Sequence, residues 1–165
     1  MIELIGINIL QPKVFMSDDD DLFYNAWKQV IGSVPYRLLC TWHIDRAWRN
    51  QLQRKILNVE KRALVYKALR VLLQATNIEE FQELLKGFMQ EVIADNEMSS
   101  FGEYFKSYYI ARQTTWAYCF RRNCGINTNM RLESLHKVLK YFCLHGQKNK
   151  RLDKCQSGSD SQSDN

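Results

Sequence analysis

Four consecutive aspartates, Asp18–Asp21, follow directly on a short apolar run, Lys13–Ser17. Carboxylates in series cannot be buried together, so the chain must leave its interior at Asp18 and turn in solvent. The run before them reads as a short buried strand ending in an acidic turn. Phe23, Ala26, Trp27 and Val30 then recur at helical spacing over Leu22–Ile31, and Asp20 or Asp21 is placed to cap that helix. Gly32–Pro35 breaks it. Tyr36–Trp42 reads as a second, largely buried strand. Strand, helix, strand favours a parallel pair joined by a crossover helix.

From His43 onward the apolar pattern is helical. Ile44, Ala47, Trp48, Leu52 and Ile56 form one stripe, and Leu64, Val65, Ala68, Leu69 and Leu72 the next. Ile78, Phe81, Leu85, Phe88 and Val92 step by three and four. Thr76 with Glu79, and Ser100 with Glu103, match the S/T-x-x-E capping box. The second box opens an aromatic helix with Phe101, Tyr104, Phe105, Tyr108 and Tyr109, extendable to Phe120. Asn123–Asn129 reads as a turn, and a last helix begins near Asn129 with Leu132, Leu135, Leu139 and Phe142 inward. The 165 residues hold only 7 Gly and 2 Pro, which suits long helices. No apolar run approaches the roughly 18 residues of a membrane span. Met1–Leu10 lacks the basic flank of a secretory signal, so the five Cys are expected to stay reduced.

Charge is arranged in blocks. Residues 1–42, 43–75, 76–105, 106–156 and 157–165 carry net −2, +6, −6, +9 and −2, within a total of +5. Basic segments of this kind attract phosphate backbones, or else are neutralised by the acidic block inside the fold. Arg46, Arg49, Arg121, Arg122, Lys148, Lys150 and Arg151 are the candidate phosphate contacts. Lys148–Lys154 is also a candidate nuclear-import signal. Residues 155–165 are expected to be a disordered tail, since Ser157–Asn165 hold only Ser, Gly, Asp, Gln and Asn and have nothing to bury.

Three places could carry chemistry. Asp18 sits at the carboxyl end of a strand, where α/β sheets bind ligands, and could hold Mg²⁺; the same residues also describe a plain solvated turn. Glu133 lies beside Ser134 and His136, and could equally pair with Lys137 four residues on. Cys40-x-x-His43 could supply two ligands to a Zn²⁺, which needs more; alternatively Cys40 is a small buried residue and His43 opens a helix. No Gly-rich phosphate loop or G-x-S-x-G elbow is present.

Phe15-Met-Ser-Asp-Asp19 with Phe23-Tyr-Asn-Ala-Trp27, then Leu38-Leu-Cys-Thr-Trp-His-Ile-Asp-Arg46, then Asn127-Thr-Asn-Met-Arg-Leu-Glu-Ser-Leu-His136 resemble, in that order, the transposase domain of Mutator-like elements (MULE transposases). The resemblance spans about residues 12–154. It implies an α/β fold: a partial ribonuclease-H-like core, here with two of its strands, carrying a large all-helical insertion at about 47–125, so that most residues are helical. It also implies an Asp-Asp-Glu set holding two Mg²⁺ for phosphoryl transfer, with Asp18 as the second Asp, Glu133 as the Glu, and Cys40 and His43 in the family's C-x-x-H segment. His136 stands where the family usually has Asn. The seventeen residues before Asp18 contain no Asp. The first catalytic Asp, its strands and any zinc finger are therefore expected to be missing, the chain to be inactive alone, and the first strand to expose an unpaired edge. The implied setting is nuclear, with DNA as partner, a homo-oligomer as a further candidate, and no membrane. A domesticated, non-catalytic DNA- or protein-binding module is the alternative.

Overall fold

The computed structural model describes residues 12–128 and Ser134. The chain divides into units Met1–Thr128 and Asn129–Asn165, and every described residue except Ser134 belongs to the first. The expected polar tail and the inward face of the last helix lie outside the described residues.

The first unit is a mixed α/β fold, mostly helical, with one two-stranded sheet. Strands β1 (Val14–Ser17) and β2 (Tyr36–Leu39) pair in parallel, with Val14 opposite Tyr36 and Ser17 opposite Leu39. Helix α1 (Asp21–Val30) makes the crossover expected from the sequence. Its cap is Asp20, whose carboxylate accepts the Leu22 N–H at 2.9 Å. Gly32, at φ 101°, supplies the left-handed residue that turns the chain back toward β2. The helix is less buried than its spacing suggests: Phe23 is 61% and Val30 84% exposed. Tyr24 and Trp27 pack inward, against Phe15, with ring centroids 5.4 and 5.2 Å away. A two-stranded sheet has too little face to cover a whole helical stripe.

β2 stops at Leu39, short of the expected Trp42. Helix α2 (Thr41–Lys55) begins two residues later, so Thr41 and Trp42 are helical. The Cys40 N–H still donates to the Ser17 carbonyl at 2.8 Å, and the ladder ends there. Helices α3 (Val59–Gln74), α4 (Ile78–Ala94) and α5 (Ser99–Tyr109) follow, then a short α6 (Gln113–Trp116) set among 3₁₀ turns. The α2 stripe is buried at Ile44, Trp48, Leu52 and Ile56, and the α4 stripe at Phe81, Leu85, Phe88 and Val92. In α3 the stripe turns by one position: Val65, Leu69, Leu72 and Leu73 are buried, while Leu64 is 59% exposed.

Both expected capping boxes are displaced. Asn77, not Thr76, caps α4, its side chain accepting the Glu80 N–H at 3.0 Å. Ser100 lies inside α5 rather than ahead of it. The turn before that helix is instead organised by Asp95, which accepts the Glu97 N–H at 2.8 Å and pairs with Lys61 at 2.6 Å. The aromatic helix does not run on to Phe120. The Tyr108 and Tyr109 carbonyls, which a continuing helix would spend on later N–H groups, accept from Arg112 Nε at 2.7 Å and Trp116 Nε1 at 2.9 Å. With two side chains holding those acceptors, the helix gives way to a 3₁₀ turn.

The core is an aromatic cluster about Trp48, itself fully buried. Phe105, Tyr109 and Trp116 surround its ring at 5.9, 5.5 and 5.5 Å, and the two indoles meet edge to face at 88°. Phe81 of α4 joins through Trp116, and Phe88 through Phe105. Beside the cluster, Asp45 is a buried carboxylate bonded by Tyr66 Oη at 2.8 Å, Arg49 at 2.9 Å and Arg70 at 3.2 Å. It ties α2 to α3.

Two outcomes are expected. Asn77→Ala should cost about 1 kcal/mol in urea denaturation, and Thr76→Ala less than about half of that. The second concerns pH. Burial, followed by the bond to Tyr104 Oη, raises the Tyr109 hydroxyl above the usual phenol range. The folded state then holds that proton more tightly than the unfolded chain. Its stabilising effect is complete below about pH 10 and is lost as pH rises beyond it, with a slope of up to ~1.4 kcal/mol per pH unit. Tyr109→Phe should flatten the fall in stability between about pH 10 and 12 in chemical-denaturation series.

Candidate functional site

The register of the two strands fixes the site. Since Ser17 faces Leu39, the next residues, Asp18 and Cys40, emerge side by side at the carboxyl edge of the sheet. Ser17 Oγ donates to the Asp18 carbonyl at 2.8 Å, which holds the first turn residue against the strand end.

The four aspartates then part company. Asp19 is gripped by both terminal nitrogens of Arg112, at 2.5 and 2.9 Å. Asp20 is the α1 cap. Asp21 pairs with Arg37 of β2, and this guanidinium holds its carboxyl below the ordinary carboxylate range. Asp18 is half-buried. No side chain among the described residues is seen to bond its carboxylate. Glu133 lies outside the described residues.

Across the edge, Cys40 is wholly buried, with Sγ 3.4 Å from Thr128 Oγ1. Thr41 Oγ1 donates to the Asn127 carbonyl at 2.8 Å, and the Thr41 N–H reaches the same oxygen at 3.2 Å. Residues 127–128 are thereby fastened to the start of α2. His43 is half-buried, its ring edge-on to Trp42 at 4.8 Å. Among the described residues no group of three or more His, Cys, Asp or Glu is placed to hold a metal ion. Cys40 and His43 alone would leave Zn²⁺ two ligands short of a structural site.

Arg121 corrects the expected set of phosphate contacts. It is 1% exposed, so it is no part of a DNA-facing surface. Its guanidinium donates to three carbonyls, those of Leu39 at 2.9 Å, Asn127 at 2.9 Å and Ile126 at 3.3 Å. Burial pulls its pKa below the ordinary value for arginine. It acts as a pin between the end of β2 and the segment leading to residue 129. Gly125, at φ 70°, turns that segment back to meet it. Its neighbour Arg122 is exposed and reaches the Thr76 carbonyl at 3.3 Å. Arg46 is exposed, its guanidinium 5.3 Å from the Trp42 ring centroid. Arg49 is half exposed while bonded to Asp45. Lys148, Lys150 and Arg151 lie outside the described residues.

Sequence reasoning missed the Arg121 pin, the Arg112–Asp19 clamp and the Asp45 hub. Only the last left a local trace, the i,i+4 pair Asp45 and Arg49. Among the described residues no helix is long and apolar enough to cross a membrane.

Arg121→Met should lower unfolding free energy by about 2–4 kcal/mol, since three carbonyls lose a charged donor. Arg122→Met should change it by less than about 0.5 kcal/mol. Urea titrations of the two variants check the contrast.

No family model, curated protein or solved structure matches this chain.

Proposed function

We propose that the chain is a portion of a MULE-type DNA transposase core, in which Asp18 and Glu133 are two of the carboxylates that bind Mg²⁺ and exposed arginines such as Arg46 and Arg122 contact the DNA backbone. The observation that supports it best is the β1–α1–β2 crossover, with Asp18 at its carboxyl edge beside Cys40. A long helical segment follows the Cys-x-x-His, as the resembling family would have it. The ribonuclease-H-like ancestry of the sheet belongs to the same proposal.

Asp18 suits the metal in kind: a hard carboxylate oxygen, half open to solvent, with Asp19 and Asp21 already spent on arginines. Bound Mg²⁺ would supply Lewis-acid stabilisation of the charge that develops on phosphate oxygens. The chain's own part is to hold Asp18 rigidly at the strand end through the Ser17 Oγ bond. The family's site uses three carboxylates. Asp18 and Glu133 would supply two of them.

A second reading is a non-catalytic DNA- or protein-binding module in the nucleus. Arg112 and Arg37 favour it, because they pair with two of the four carboxylates and make the acidic turn a structural joint.

Mn²⁺ titration of the ¹⁵N-labelled chain separates the two. Selective broadening of the Ser17–Asp20 amides, abolished by Asp18→Asn and reduced by Glu133→Gln, is the expected result. Broadening that Asp18→Asn leaves intact overturns the metal assignment. Salt-dependent DNA affinity that Asp18→Asn leaves unchanged, with no Mn²⁺ effect at the turn, turns the choice to the binding module.

A further inference from the structure

An open groove of about 500 Å³ runs between α3 and α4. Its floor is apolar and small, with Ala68, Val71, Leu84 and Gly87 over buried Leu72 and Phe88. Val71 is 53% exposed, and a Cβ built on Gly87 meets nothing within 4 Å. Three carboxylates, Glu80, Glu83 and Glu91, line the groove. All three are exposed, and among the described residues none is seen in an ion pair. Lys67 and Lys86, on the same two helices, are not among the lining residues.

From this geometry we propose that the groove is a docking surface for a basic amphipathic helix of a partner protein. The floor asks for an apolar stripe, and the small residues at Ala68 and Gly87 let a second backbone come close. Glu80 to Glu91 spans eleven helical rises, about 16 Å, or three turns. That length accommodates a helix presenting anchors at i, i+3 or i+4, and i+7, which span about two turns. The unpaired carboxylates set the sign of the partner: lysines or arginines flanking its apolar stripe would neutralise them, and an acidic helix would be repelled. The surface is independent of Asp18 and does not rest on the transposase proposal.

The test uses the full chain and a fluorescein-labelled synthetic peptide of about four turns, with leucines at i, i+3, i+4 and i+7 and lysines elsewhere. A scrambled peptide of identical composition is the control. The amphipathic peptide should bind saturably below about 100 µM, and the scrambled one at least about tenfold more weakly. Gly87→Leu, which fills the groove at an open helical position, should weaken binding by about tenfold or more without lowering the melting temperature. Glu83→Gln with Glu91→Gln should weaken it and reduce its salt dependence. Equal binding of the two peptides, binding unchanged or tightened by Gly87→Leu, or no binding of either peptide in that range would each overturn the proposal.

Discussion

The Trp48 indole is the contact on which the described unit is built. It stands at the middle of α2, wholly excluded from water, and touches rings from α5 and α6. A buried indole removes some 200 Å² of surface from water, worth on the order of 5 kcal/mol by area, with edge-to-face geometry adding to it. Its effect reaches beyond packing. By fixing α2 against the aromatic helices it fixes where α2 begins, and so where Cys40 meets Ser17. The carboxyl edge of the sheet is aligned by a ring two helical turns away from it.

A second joint completes that alignment. Arg121 could have been a solvated cation, but the end of β2 and the 126–127 turn offer three carbonyls converging on one point. Burying a guanidinium without a carboxylate is costly. Three charged hydrogen bonds recover much of that cost, and they do so only if the β2 end and the turn stay together. The pin therefore makes the position of residues 126–128 depend on the strand pair. Thr41 and Cys40 add further bonds to the same segment.

The parts that were legible in the sequence are those set by local rules. The parallel crossover followed from two apolar runs around an amphipathic stretch. The α4 stripe followed from its spacing, and Phe81, Leu85, Phe88 and Val92 are indeed buried. Where two residues obey the same local rule, the pattern could not choose. Thr76 and Asn77 both suit a helix cap, and the chain path selects Asn77. Arg121 and Arg122 are the same residue type side by side, and the Leu39 carbonyl, eighty-two positions back, joins those of Ile126 and Asn127 in taking one of them inside and leaving the other outside. The Asp18 edge was legible as a strand end. The geometry of its partners was not, because Arg112 arrives from ninety-three residues away.

That long-range partner bears on what the acidic turn can do. Four adjacent carboxylates raise one another's energy, and a divalent cation is one way to relieve them. Here Arg112 takes Asp19, Arg37 takes Asp21, and the positive end of α1 takes Asp20. Each pair is partly open to water and modest in energy, yet together the two arginines offset two of the four negative charges that would draw a cation in. Among the described residues, Asp18 is left as the member of the run whose carboxylate has no partner, with two of its three neighbours already paired to arginines. A cation at this edge would thus owe its binding to direct ligation by Asp18 and by a carboxylate from elsewhere, and little to the aspartate run itself. Three of the four aspartates that first draw the eye in the sequence are accounted for by folding, and a metal role for the run rests on its first member.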